Sequence, residues 1–379
     1  MIERLGPRKY AFPLLVVVLI GCVMALLFYP MLHMQPKNLP FAVLSLDEGA
    51  TTPAGEVNAG EMMTEKLVTA EAPGDGEVAP IKWEVVDSQE ALDDAIAENE
   101  YYGALTIPAD FTKAQAAAQA GQGEAPSVHV VLDNAKSPMM ATQMQTLMGQ
   151  TFGGLGLTAD IEVIHTGDAD AAPVSPMAGM MSQQVGIMPL MIMSLIGSIL
   201  LVRIFPMRGA ETTGRRFGVL GIQLAYAAGY SLLASLAAVW LLNGVVGAAA
   251  PFWTTTVFLW FAAFAVTALF LGAFDVAFPL GVLLAIAAVL CGMMTAVLPP
   301  ETLPAFWADW IQPWVPQPFI AGGLRDILYM GAGLMPKGSG GLLVIGGVGV
   351  ILTLIAGFIP RRARAGVSPA AAEPEPVTA

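Results

Sequence analysis

Along the chain, apolar residues fall into two regimes. From about Val185 to Pro360 they run in long blocks almost free of charge: Val185–Val202, Phe217–Val246, Thr254–Phe274, Val276–Leu298 and Gly341–Ile359. One further block, Ala11–Pro30 (AFPLLVVVLIGCVMALLFYP), stands alone near the N-terminus. About 20 apolar residues cross a hydrocarbon core of about 30 Å as a helix, so these blocks predict six transmembrane helices. Ala11–Pro30 ends in Leu-Leu-Phe-Tyr-Pro rather than in the small residues of a cleavage site, and so reads as an uncleaved anchor. Pro189 falls inside the first of the five later blocks, where a transmembrane helix tolerates it.

Between the first block and the rest, the pattern shortens to the periods of a folded domain. Phe41–Leu46, Ile81–Val86, Tyr102–Ile107, Ser127–Leu132 and Ile161–Ile164 read as strands. Helices are expected over Asn58–Thr69, over Gln89–Glu98 behind a cap at Asp87 or Ser88, over Ala109–Ala120 and from Met139 to about Leu155. Glu71–Pro80 and Ala169–Ser182 read as linkers. Strands alternating with helices predict a small α/β domain with a mixed sheet. The fold expected is therefore an α-helical polytopic membrane protein with six transmembrane helices and an extracytoplasmic α/β domain inserted between helices 1 and 2. Its parts are a cytoplasmic N-terminus (1–10), helix 1 (11–30), the α/β domain with its linker (31–182), a five-helix membrane domain (183–360) carrying an external Trp/Pro-rich segment (299–340), and a tail (361–379) whose Pro/Ala/Glu composition suits disorder.

Composition supports the membrane assignment and charge orients it. The 379 residues are 55% hydrophobic and only 12% charged, about half the charged share of soluble domains. The net charge of −13 is unevenly placed: in the α/β region acids outnumber five lysines. Basic residues flank the spans instead: Arg4, Arg8 and Lys9, then Arg203, Arg208, Arg215 and Arg216, then Arg361, Arg362 and Arg364. Lys and Arg next to spans stay in the cytoplasm, whereas a long acidic domain crosses regardless of its charge. Both termini are then cytoplasmic, in a multi-pass protein of the plasma membrane. The acidic total is no pointer to nucleic acid, and no basic, aromatic-studded surface for it is visible.

Motifs for chemistry in the chain itself are few. Cys22 and Cys291 lie in separate apolar runs, suited to packing rather than to a disulfide. His33, His129 and His165 are scattered, with no metal-ligand spacing. There is no Walker A loop, no G-x-S-x-G and no H-E-x-x-H, so no enzyme activity and no cofactor of its own is expected. Asp275, where one span ends and the next begins, reads as a hairpin residue, with a proton relay as the sharper alternative. Gln223, Ser235 and Asn243 are polar contacts between spans or the lining of a path. Met139–Met148 and Met177–Met193 are methionine-rich, which suits adaptable packing. In the segment before the last span, Trp307, Trp310, Trp314 and Phe319 are rings of the kind found at headgroup depth, and Pro313, Pro316 and Pro318 forbid one continuous helix. This stretch, with Pro316 and Arg325, reads as an interfacial element or external gate, or as a plain external loop with aromatic anchors. Arg325 is expected to snorkel or to contact the external domain.

The order of these elements resembles the type-2 class of ABC exporter permeases, in particular the phage-infection-protein (YhgE/Pip) branch. LPFAVLSLDEGATTPAGEVNAGEMMTEKL is similar to that family's opening strand, its Asp-x-Gly-Ala turn and the helix after it. Tyr101–Phe111 (YYGALTIPADF) resembles its strand-to-helix step, and Leu298–Arg325 its Pro-rich external segment before the last span. The resemblance covers nearly the whole chain, with a shorter external domain than some members have. It implies a homodimer, or a heterodimer with a similar permease, in contact with membrane lipid and driven by a separate ATP-binding ABC subunit, so ATP enters only through that partner. It also implies an ATPase-docking loop at Arg203, Arg208, Glu211, Arg215 and Arg216, where the plainer reading is topology charge alone. Expected substrates are amphiphiles, lipids, drugs, polymers or peptides moving outward. The rival reading is a non-transporting scaffold, receptor or secretion-machine accessory of the same fold.

Overall fold

The structure, a computed structural model, describes residues 35–52, 55–70, 78–166, 176–207, 210, 212–296 and 298–359, with Ala25, Tyr29 and His33 as isolated positions. The expected first span, the tail 361–379, Arg208 and Glu211 lie outside the described residues.

Residues 39–164 build an α/β unit. Its strands are β1 (Leu39–Ser45), β2 (Ala50–Thr52), β3 (Gly55–Val57), β4 (Ile81–Val85), β5 (Gly103–Ile107), β6 (Ser127–Asp133) and β7 (Thr158–Ile164). Its helices are α1 (Ala59–Val68), α2 (Gln89–Ala97), α3 (Phe111–Gln119) and α4 (Pro138–Gly154). Five strands form one mixed sheet in the order β4-β1-β5-β6-β7; β1 pairs parallel with β4 and β5, β5 antiparallel with β6, and β6 parallel with β7. The short β2 and β3 pair separately as a hairpin. Strand period sorts the core into two layers. Phe41 and Val43 of β1 face α1, α3 and α4, while Ala42 and Leu44 face α2 through Leu92 and Ile96.

Local chemistry fixes the helix starts. The Asn58 side chain accepts the Glu61 N–H at 2.8 Å, Ser88 accepts that of Ala91 at 3.2 Å, and Ser137 caps α4 with Pro138 as its first residue. Gly103 is glycine because β5 leaves no room: a Cβ there would stand 2.5 Å from the Val131 carbonyl oxygen and 2.7 Å from the Phe41 ring.

A helical bundle follows: α5 (Pro176–Ile204), α6 (Thr213–Leu241), α7 (Phe252–Val276), α8 (Phe278–Thr295), α9 (Pro316–Tyr329) and α10 (Ser339–Phe358). α6 continues to Val246 in a widened π-type turn. Four of these are long and apolar enough to cross a bilayer: Gln184–Ile204, Thr213–Val246, Phe252–Val276 and Ser339–Phe358. The chain is therefore a membrane protein. Within the span expected over Val276–Leu298 lies the 18-residue α8, about 27 Å long, which starts two residues later because Val276 completes α7 and the extended Ala277 breaks the chain before Pro279.

α7 is the hub of the bundle, packing on α5, α6, α8 and α10. Of its most apolar stretch, 78% is buried, against 33% for α6 and α10, as expected of a helix apolar on every side. Its crossing with α10 is backbone on backbone. A Cβ on Gly349 would lie 2.3 Å from the Leu269 nitrogen, and one on Gly272 would lie 2.4 Å from the Gly349 carbonyl oxygen. Small residues permit that approach, which lipid-embedded helices use in place of a hydrophobic drive.

Candidate functional site

The α/β unit and the bundle meet at a polar joint whose parts come from distant stretches. Between α8 and α9 the chain runs through a 3-10 turn at Pro300–Thr302, a π-type turn at Trp307–Ile311 and a second 3-10 turn at Gln312–Trp314; α9 then opens on Pro316. The prolines split the segment as their missing N–H groups require. Glu301 reaches the sheet: the Tyr102 hydroxyl donates to its Oε2 at 2.9 Å, and the Lys37 N–H donates to its backbone oxygen at 3.1 Å. Arg325 on α9 donates from Nη1 to the Lys136 carbonyl at 2.9 Å. Lys337, past the end of α9, donates from Nζ to the Glu98 carbonyl at 2.9 Å, and its own N–H donates to Asp326 Oδ2 at 3.0 Å. The Lys136 ammonium bonds the carbonyls of Asn99 and Glu100 and lies 5.4 Å from the centre of the Tyr102 ring.

Tyr102, Lys136, Glu301, Arg325, Asp326 and Lys337 line a cavity of about 540 Å³ between sheet and bundle, together with Leu298, Gln312 and Phe319. Burial, with the negative Glu301 beside it, pushes the Tyr102 phenol well above its usual value, so it stays a hydrogen-bond donor through neutral pH. Burial pulls the Lys136 ammonium down; Glu301 opposes this, while Lys337 and Arg325 add like-charge repulsion. Burial also lowers Arg325, against the pull of Tyr102 and Asp326, and a guanidinium starting so high remains charged. Its Nε finds no hydrogen-bond partner among the described residues. The joint can thus carry force between the two parts, since its cations Lys136, Arg325 and Lys337 are held by backbone carbonyls.

The structure separates the aromatic residues singled out in this segment. Trp307 is 1% exposed and packs with Leu298, Leu303 and Met139, the last from α4, so it cements the joint from within. Trp310 and Trp314 are 70% and 71% exposed. Pro316 is buried at the start of α9, and Phe319 lies against Gly338 and Gly341 at the start of α10. Arg325 contacts the α/β unit.

The arginines divide likewise. Arg216 is 6% exposed; its Nε donates to the Gly357 carbonyl at 2.8 Å and its Nη2 to Thr213 Oγ1 at 3.0 Å, tying the start of α6 to the end of α10. Arg215 is exposed, and Arg203 lies over the Phe278 ring at 5.7 Å, also exposed. Asp275 is buried at 1% exposure in the last turn of α7, not displayed on a hairpin tip. Gln223 donates to the Phe205 carbonyl, Asn243 closes the loop to Ala250 with two bonds, and Ser235 bonds within its own helix.

Sequence reading did not single out Glu301, Tyr102 or Lys136 as partners. Nothing local marks them, since Tyr102 and Glu301 are 199 residues apart. Among the described residues, no group of three His, Cys, Asp or Glu side chains converges as metal ligands would. Compared with known proteins, the chain matches no family model, no curated protein and no solved structure.

Proposed function

We propose that this chain is the membrane subunit of an ABC-type exporter, moving an amphiphilic, lipid-like, drug or polymer substrate outward with energy from a separate ATP-binding subunit. In this reading it crosses the plasma membrane six times, keeps both termini in the cytoplasm and holds its α/β domain outside between helices 1 and 2. It works as a homodimer or as one half of a heterodimer with a similar permease. The ATPase docks on the cytoplasmic loop of Arg203, Arg208, Glu211, Arg215 and Arg216, where Arg203 and Arg215 offer exposed cations. Arg216, engaged with Gly357, steadies that loop rather than meeting the partner. The Trp/Pro segment is the external gate, with Trp310 and Trp314 at headgroup depth and Trp307 as its anchor.

The observation that supports this reading is the joint. A shift of α9 against α7 moves Arg325 and, through the Pro/Trp segment, Glu301, so motion in the bundle reaches the sheet through hydrogen bonds. Rigid elements joined by discrete polar contacts are the kind of connection that passes a closing stroke from one side to the other.

Two experiments test it. Detergent co-purification with the ATP-binding partner is expected for the intact chain, and to be lost in the double variant Arg203→Glu/Arg215→Glu. Recovery without any ATPase, with activity intact in its absence, would favour the non-transporting scaffold instead. Single cysteines at Glu90 and Gly214, with Cys22 and Cys291 replaced by Ala, should react with an impermeant reagent in whole cells at Glu90 only; labelling at Gly214 alone would invert the orientation.

A further inference from the structure

A second cavity, of about 740 Å³, opens in the α/β unit between α1, α3, α4 and the edge of the sheet at β4. That volume lies within the range of about 300–1,000 Å³ for sites that enclose a small ligand. Its walls include Met62, Met63 and Met148 with Trp83, Phe111 and Phe152, flexible thioethers beside flat rings. The rim leaves apolar side chains in the open: Met62 is 52% exposed and Leu155 is 66% exposed. Among the described residues, the lining carries a single charge, Lys66 on α1, joined by the Gln115 amide and the Thr151 hydroxyl. Lys66 forms no ion pair among the described residues, although α1 also carries Glu61 and Glu65.

Three occupants compete for this space. The chain's own linker is the nearest, but Glu71–Glu77 reads EAPGDGE and offers only Ala72 and Pro73 to an apolar hollow. The bilayer is less favoured by position. α4 leaves the joint at Met139, which packs with Leu298 and Trp307, and first meets the cavity at Leu147, about 12 Å further along its axis. A free ligand remains, with a long apolar body for the methionine walls and one negative group for Lys66.

We infer that the α/β unit binds a single-chain anionic amphiphile, its chain laid between α1, α4 and Trp83 and its head on Lys66, Gln115 and Thr151. A fatty acid and a lysophospholipid share that chemistry. The site is independent of the transport reading: it requires neither an ATPase nor a second copy, and its failure leaves that reading standing.

The test uses the full chain in peptidiscs with palmitic acid bearing a photoactivatable diazirine, and maps adducts by peptide mass spectrometry. Adducts are expected in 57–68 and 147–157, with labelling lowered about tenfold by excess palmitate. Hexadecanol, which lacks the charge, should compete at least about tenfold more weakly, and Lys66→Glu should weaken labelling by a similar factor. Met62→Trp and Thr151→Trp, which fill the cavity from opposite walls at exposed positions, should each suppress these adducts while circular dichroism stays unchanged. Competition by palmitoyl-lysophosphatidylglycerol in preference to palmitate, or the reverse, identifies the source of the chain. Adducts confined to the membrane helices, adducts that excess palmitate does not displace, or equal competition by hexadecanol would overturn the assignment.

Discussion

At Asp47, in the α/β unit, one carboxylate gathers the N–H groups of Gly49, Gly60 and Thr112 together with the Thr112 hydroxyl. It thereby ties the turn after β1 to the first turns of α1 and α3. At Gly349, in the bundle, two helices touch backbone to backbone with no side chain between them. The two arrangements answer two solvents. In water, burying Phe41, Leu105 and Val130 supplies the drive, and a buried polar clamp selects one arrangement of the elements. In lipid, apolar burial favours no particular helix pair, so specificity has to come from close packing of small residues.

The widest test of this contrast is Gly349→Leu. With the Leu269 backbone too close to any Cβ, the helices must part, at a cost of about 3 kcal/mol. Size-exclusion profiles in detergent should lose the monodisperse peak, while hydrogen exchange of β1 and β5 stays slow. Exchange that accelerates in both regions together would mean that the unit and the bundle fold as one.

Asp47→Ala comes next, at about 2–3 kcal/mol, because buried donors lose a charged acceptor. Asp47→Asn should cost less, since an amide oxygen still accepts. Burial alone would raise the Asp47 carboxyl, but the bonds from Thr112, Gly60 and Gly49 outweigh it and hold it below its usual value. A depressed carboxylate stabilises the fold above the unfolded pKa of 3.8, and that contribution drains as pH falls through the lower folded value. Acid unfolding of the wild-type domain, followed by circular dichroism, should therefore steepen below about pH 4, and Asp47→Asn should flatten that limb.

At the joint, Arg325→Met should cost about 2 kcal/mol and Tyr102→Phe about 1 kcal/mol. Hydrogen exchange should rise around Lys136 and Glu301 and leave the α7–α10 crossing unchanged. The smallest difference sits on adjacent arginines. Arg216→Ala should destabilise by about 1 kcal/mol in detergent melts, through the lost bond to Gly357, whereas Arg215→Ala should stay within about 0.5 kcal/mol.

Much of the α/β unit is legible in the chain. β4 is expected over Ile81–Val86 and observed over Ile81–Val85, and α2 starts at Gln89 behind Ser88 as its cap. Those elements announce themselves because period and cap chemistry are local. The β2–β3 hairpin escapes, since strands of three residues show no period, and β7 begins at Thr158 rather than Ile161 because its polar first residues pair only through β6. In the bundle, hydrophobicity marks the spans but not their ends: α8 starts two residues later than Val276 because a backbone break, not a change in apolar content, separates it from α7. Of the joint, only the contact of Arg325 with the α/β unit is anticipated, and only as the alternative to snorkelling.

The sequence by itself determined what each stretch prefers, because transfer to lipid, strand period and helix capping are properties of a residue and its near neighbours. It marked this chain for the membrane and residues 39–164 for an α/β sheet. Tertiary structure alone decided which groups meet: that Trp307 turns inward while Trp310 and Trp314 stay out, that Arg216 closes on Gly357, and that Tyr102 finds Glu301. Contacts between residues so distant along the chain depend on the packed arrangement of all the elements between them, and no local pattern encodes that arrangement.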